Sequence, residues 1–266
     1  MKKFFIMVLA AVAIITSCKK VTPEEQIATF FDAASSDTTL TQSLAKIKAQ
    51  CSDAPFGSET NDKLVDFYTL LLAKDAGINV KNIFTQDDVI GEGDDEEFAR
   101  NLVAEIPVRS EDGFDILLSA PVEDIDASVA AIGIMKLLVN QSASKDHTVR
   151  LLLYQKCRPD SLSGFETFKA SSQEKRQNYL LDMDLGSVDT SSTGKTFLIA
   201  EPEHIYKQMQ EYIFPYFDRY GKYTFVPGRF MSSEYPVKDS YYNYKIDPDD
   251  FRCDIAAVTS LIYLLN

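Results

Sequence analysis

Ala127 to Val139 is apolar on nearly every side when wound as a helix, so a segment of this kind has to be covered all round. The flanking sequence indicates the cover. Leu102 to Val108, Phe114 to Ser119, Val149 to Tyr154 and Tyr179 to Met183 are short β-rich runs, as is Val80 to Phe84, and several are continuous instead of alternating. Continuous runs are the pattern of strands buried on both faces. Ahead of them, Ile27, Phe30, Phe31, Leu40, Leu44 and Ile47 recur at helical spacing through Glu24 to Gln50, interrupted near Ser35-Ser36-Asp37. This predicts two short helices, and Leu64, Phe67, Tyr68, Leu71 and Leu72 predict a third over Asn61 to Lys74. Asp247-Pro248-Asp249-Asp250 supplies an N-cap, a proline at the first helical position and acids in the first turn, so a closing helix runs to about Leu265. The order implies an α/β domain, a three-layer sandwich with a largely parallel, mixed sheet flanked by helices. Sites in such folds lie beyond the carboxyl ends of the strands, here residues 120–126, 155–164 and 184–190.

The amino end carries an address. Lys2 and Lys3 precede an apolar stretch, Phe4 to Ile15, of about a dozen residues, which matches a signal peptide and falls short of the roughly 20 needed to span a bilayer. Ile15-Thr16-Ser17-Cys18 resembles the lipobox of bacterial lipoproteins. The resemblance implies cleavage before Cys18 and acylation there, palmitate included, and a lipid-anchored place in the cell envelope. Residues 1–17 are then the signal, 18–25 a short polar tether and 26–266 one domain, since no Pro/Gly/Ser-rich linker divides it. Loss of Lys2 and Lys3 takes the net charge from −13 to −15, which excludes nucleic acid as a partner class. With Cys18 lipidated, Cys51, Cys157 and Cys253 remain, so at most one intramolecular disulfide forms and at least one thiol is left over.

From Ala54-Pro55-Phe56-Gly57-Ser58 onward the chain resembles the zinc-dependent aminopeptidase and glutaminyl cyclase family. The matching pieces come in family order. They are Ala99-Arg100-Asn101-Leu102-Val103-Ala104-Glu105-Ile106-Pro107, Ile116-Leu117-Leu118-Ser119-Ala120, Asp126-Ala127-Ser128-Val129 and Thr148 to Tyr154, followed by Asp160-Ser161-Leu162-Ser163-Gly164, Leu180-Leu181-Asp182-Met183 with Gly186, and Ile246 to Phe251. Order and spacing, not any single piece, carry the likeness. Asp160-Ser161-Leu162 and Leu181-Asp182-Met183 lean toward the cyclase branch.

The resemblance implies zinc held by histidines and carboxylates, with a glutamate moving protons, and zinc catalysis needs about three protein ligands plus an open position. Where the family carries a His and an Asp after the strand, this chain reads Ala120-Pro121-Val122-Glu123, with Pro121 in the histidine's place. Where it carries two glutamates, the chain reads Gln155-Lys156-Cys157-Arg158. No histidine follows His204, and Tyr235 or Val237 stands where the last ligand belongs. Asp126, with Asp124 beside it, and Asp182 or Asp184 survive. Without histidine such a set would at best hold a hard cation weakly, and helix caps or solvated turns account for it as well.

Other motifs carry less. Gly194-Lys195-Thr196 lacks the first glycine of a phosphate loop, Ser161-Leu162-Ser163-Gly164 lacks that of a nucleophile elbow, and Glu92 to Glu97 has no calcium-loop spacing. His147 reads as a solvated residue ahead of a strand. Cys157 sits between Lys156 and Arg158, cations that would raise thiol reactivity, although a buried thiol or a disulfide half explains it more simply. Phe214, Tyr216, Phe217, Tyr220, Tyr223, Tyr241, Tyr242 and Tyr244 crowd the last third, as pocket wall or as packing. The expectation is a non-catalytic relative without metal or cofactor, bound to the bilayer through Cys18, that captures a peptide, glycan or protein; the alternative is a metallo-aminopeptidase or glutaminyl cyclase with a rebuilt site.

Overall fold

The computed structural model describes residues 21–51, 59–90, 97–107, 115–140, 147–156, 164, 167–168, 177–182, 195–199, 203–213, 215–216, 223–227, 240–244 and 251–265. Helix α1 (Pro23–Ser36) starts earlier than the tether reading allows. Thr22 accepts from the Glu25 N–H while the Glu25 carboxylate accepts from the Thr22 N–H, a capping box that brings Thr22 to Glu25 into the folded domain. Helix α2 (Thr38–Cys51) follows the expected break, and α3 (Glu59–Leu70) continues into a π turn, Leu71–Asp75. Gly77 then ends the segment at φ 73°, a left-handed position that suits glycine.

Asp37 joins α1 to α2. Its carboxylate accepts from the Thr39 N–H at 2.9 Å and from Lys136 Nζ at 2.6 Å. Burial opposes the charge on Asp37, yet the bonds from Lys136 and from the backbone of Thr39 and Leu40 outweigh it and hold the carboxyl below the ordinary 3.8. A depressed folded value means that this stabilisation is complete above the unfolded pKa and is lost as pH falls through the folded one. Asp37→Asn is therefore expected to lower the unfolding free energy by about 1–3 kcal/mol at neutral pH, a deficit that narrows below about pH 4 in urea titrations.

The sheet has eight strands in the order β1-β2-β4-β3-β5-β8-β6-β7. These are β1 (Ile83–Ile90), β2 (Glu97–Ile106), β3 (Asp115–Pro121), β4 (Thr148–Tyr154), β5 (Gln177–Asp182), β6 (Lys195–Ile199), β7 (Tyr223–Pro227) and β8 (Ser240–Tyr244). The β4-β3-β5-β8 centre is parallel, while β1, β2 and the β6-β8 junction pair antiparallel. The first predicted strand is displaced: Val80–Asn82 is a 3-10 turn because the Asn79 side chain accepts from the Lys81 N–H, and the strand starts at Ile83.

Helix α4 (Ile125–Asn140) is the all-apolar segment and packs on β3 and β4. Leu102, Ala104, Ile116, Leu118, Ala120, Leu151 and Leu153 share a core with it. The alternate residues Asn101, Val103, Leu117, Ser119, Leu152 and Tyr154 are also 0% exposed, so both sheet faces are covered, as the continuous runs predict. Outside α4 lie α2 and the closing helix α6 (Phe251–Leu265), with α5 (Glu203–Tyr212) against α1 and α6. A Cβ on Gly133 would stand 2.7 Å from both Leu40 Cδ1 and Ile255 Cδ1, so glycine lets α2 and α6 close on α4. Phe30 meets Tyr263 edge-on, and Arg252 Nη1 donates to the Ser35 carbonyl at 2.6 Å.

Candidate functional site

The parallel centre brings three expected strand ends together. Pro121 of β3 pairs with Tyr154 of β4, and Ser119 of β3 pairs with Asp182 of β5, so the carboxyl ends of these strands form one rim. Pro121 is buried. Its carbonyl accepts from Ser128 Oγ at 2.8 Å, and the next residue, Val122, donates its N–H to the Tyr154 carbonyl at 2.8 Å.

Glu123 follows. Its Oε1 accepts from Asn61 Nδ2 at 3.0 Å and from the Lys156 N–H at 3.0 Å, with Oε2 3.2 Å from that same nitrogen. The carboxylate thus ties the exit of β3 to α3 and to the chain leaving β4. Asn61 is only 1% exposed, and these charge-assisted bonds hold it and a backbone N–H away from water. Tyr68 Oη donates to the Val122 carbonyl at 3.1 Å. Burial pushes the Tyr68 hydroxyl far above the ordinary tyrosine range, and the nearby Asp124 and Glu123 charges add to this, so Tyr68 remains a neutral donor.

Asp124 is the N-cap of α4, accepting from the Ala127 N–H at 3.0 Å. Asp126 lies in the first turn and pairs with Lys48 at 2.6 Å, while its Oδ1 is buried without a hydrogen-bond partner. Among the described residues no group of three or more His, Cys, Asp or Glu is placed to hold a metal ion. In the described rim Pro121 offers no side-chain donor, Glu123 accepts from two N–H donors and Asp126 pairs with an ammonium. Asp182 ends β5, whereas Cys18, Cys157, Arg158, Asp160, Asp184 and Tyr235 lie outside the described residues. Cys51 and Cys253 are buried thiols outside any disulfide. His147 is half-buried, which corrects the solvated reading. Tyr216 stacks on Phe31 with ring centroids 4.3 Å apart, so this member of the aromatic group packs against a helix.

Asn101 is a residue the sequence reading passed over. It is fully buried in β2, donates from Nδ2 to the Gly164 carbonyl at 2.7 Å and accepts from the Gln155 N–H at 3.2 Å, while Gln155 Oε1 accepts from the Arg100 N–H at 2.8 Å. The available signal is an asparagine directly before the apolar run that starts at Leu102, inside a strand, where that residue is depleted unless its amide has work there.

A helix-flanked mixed sheet with this rim defines an α/β protein with the fold of the zinc-dependent aminopeptidases and glutaminyl cyclases. Among solved structures, the glutaminyl cyclase of an Acidobacteriales bacterium superposes with TM-score 0.61 at 11% identity, covering 85% of this chain and 93% of its own. The Legionella pneumophila LapA aminopeptidase gives 0.57 at 9% identity, covering 92% and 74%. A Zn-dependent exopeptidase from Parabacteroides distasonis gives 0.53 at 14% identity, covering 86% and 98%. No protein-family model and no curated protein matches the chain.

Glu123→Ala leaves the Asn61 amide and the Lys156 N–H without their acceptor, and a loss of about 2–4 kcal/mol of unfolding free energy is expected in urea titrations.

Proposed function

We propose that the protein is a lipoprotein of the bacterial cell envelope, anchored through acylated Cys18, whose aminopeptidase- or cyclase-like domain has lost its metal site and binds a peptide, glycan or protein without turnover. Its domain is a three-layer sandwich, a reading supported by the burial of Gly164 against Asn101 on the second sheet face. The observation that carries the reading is the use of Glu123. The carboxylate at the strand end where catalysis would need a free ligand is taken up by Asn61 and the Lys156 N–H. Pro121 beside it has no donor to give.

Elemental analysis of the purified protein, equilibrated with zinc and dialysed, is expected to find zinc far below one per chain. Peptides with N-terminal glutamine and aminoacyl anilides are expected to turn over no faster than with Asp126→Ala or Cys157→Ala. Tightly held stoichiometric zinc overturns the reading. The alternative, a rebuilt cation-dependent peptidase or cyclase, has one observation in its favour, the buried unpartnered Oδ1 of Asp126. Cation-dependent turnover abolished by Asp126→Asn would establish it.

A further inference from the structure

The capping box does more than start a helix. Thr22 is its N-cap, so only Lys19, Lys20 and Val21 separate Cys18 from that capping residue. Four residue steps span at most about 14 Å, whereas a domain of this size has a radius of gyration of about 18 Å. A leash shorter than the body it holds cannot let that body turn over freely. The surface within its reach is set by what surrounds Thr22. Val21 is exposed, as are Glu24 and Glu25 in the first turn of α1, and α5 packs against α1. The last turn of α5 carries exposed Glu211 and half-buried Tyr212. Glu211 holds the Tyr212 hydroxyl above its ordinary range by a hydrogen bond, and the Glu24 charge acts in the same direction across the packed α1 and α5.

We propose that this pole, made by the first turn of α1 and the last turn of α5, is the surface of the domain that lies against lipid headgroups. The inference rests on the reading that Cys18 carries the lipid. The pole is acidic, with Glu24, Glu25 and Glu211 exposed on it, so the tether and not charge attraction holds it to the bilayer.

The test uses the full-length acylated protein in phosphatidylethanolamine–phosphatidylglycerol vesicles containing a headgroup quencher. A fluorescent non-natural residue is placed at 24, at 211, or at the exposed reference positions 36 and 81. Position 36 lies at the far end of α1, about 18 Å from position 24. Quenching at 24 and 211 is expected to be several-fold stronger than at 36 and 81. A twenty-residue Gly-Ser insert between Lys20 and Val21, which adds about 25 Å of root-mean-square reach, is expected to level the four. Equal quenching at all four positions in the uninserted, vesicle-bound protein overturns the inference. Mass spectrometry of Cys18 separates this from failure of the anchor: an unacylated, unbound protein overturns the lipoprotein reading and the inference with it.

Discussion

Gly164→Val is expected to leave the protein unfolded or aggregated under conditions in which the wild type is native. A Cβ at this position would overlap Asn101 Oδ1 and stand 2.6 Å from the Gln155 carbonyl oxygen and 2.9 Å from the Gln155 nitrogen. Two of these atoms are backbone, and the third is pinned by the Gln155 N–H. None of them is the free end of a flexible side chain. Backing away also breaks the 2.7 Å bond from Asn101 to the Gly164 carbonyl and the 3.2 Å bond from the Gly164 N–H to the Gln155 carbonyl. Overpacking together with orphaned buried polar groups is worth more than about 3 kcal/mol against a total of order 5–15. Urea titration of Gly164→Ala, the milder change, measures the cost. A wild-type midpoint would show that the segment at Gly164 moves aside freely.

Tyr68 gives the second large effect. It is among the bulkiest fully buried side chains and joins α3 to the exit of β3. Tyr68→Ala is expected to cost about 3–5 kcal/mol, mostly as a cavity. Tyr68→Phe keeps the ring and removes the hydroxyl from the Val122 carbonyl, for about 1–2 kcal/mol. Equal losses in the two variants, read from denaturant midpoints, would refute the division between packing and hydrogen bond.

What was legible in the sequence follows from what periodicity encodes. The segment Ala127 to Val139 and the continuous runs around Leu117 and Leu152 announce burial on all sides, and α4, β3 and β4 match them closely. Val80 misled because β-branching favours a strand, while the local bond from Asn79 to Lys81 favours a turn; Val80 is 69% exposed. Strands β6, β7 and β8 went unread because Lys195-Thr196 was weighed as a phosphate-loop motif and Tyr223, Tyr241, Tyr242 and Tyr244 as an aromatic group, while the strands prove to be Lys195–Ile199, Tyr223–Pro227 and Ser240–Tyr244. At the rim, absent histidines can be counted in a sequence, and Pro121 is plain to see. The partners of Glu123 cannot be read that way, since Asn61 lies 62 positions from it and the Lys156 amide carries no side-chain signature at all.

The packing of α1 against α6 has a consequence in time. A ribosome makes Phe30 more than two hundred residues before Tyr263, and Ser35 as long before Arg252, yet these pairs meet in the finished molecule. Helix α1 therefore waits for α6 before its apolar face is fully covered. Closure over so great a sequence separation is slow, and the chain remains open to chaperones and proteases until the fifteen-residue α6 arrives.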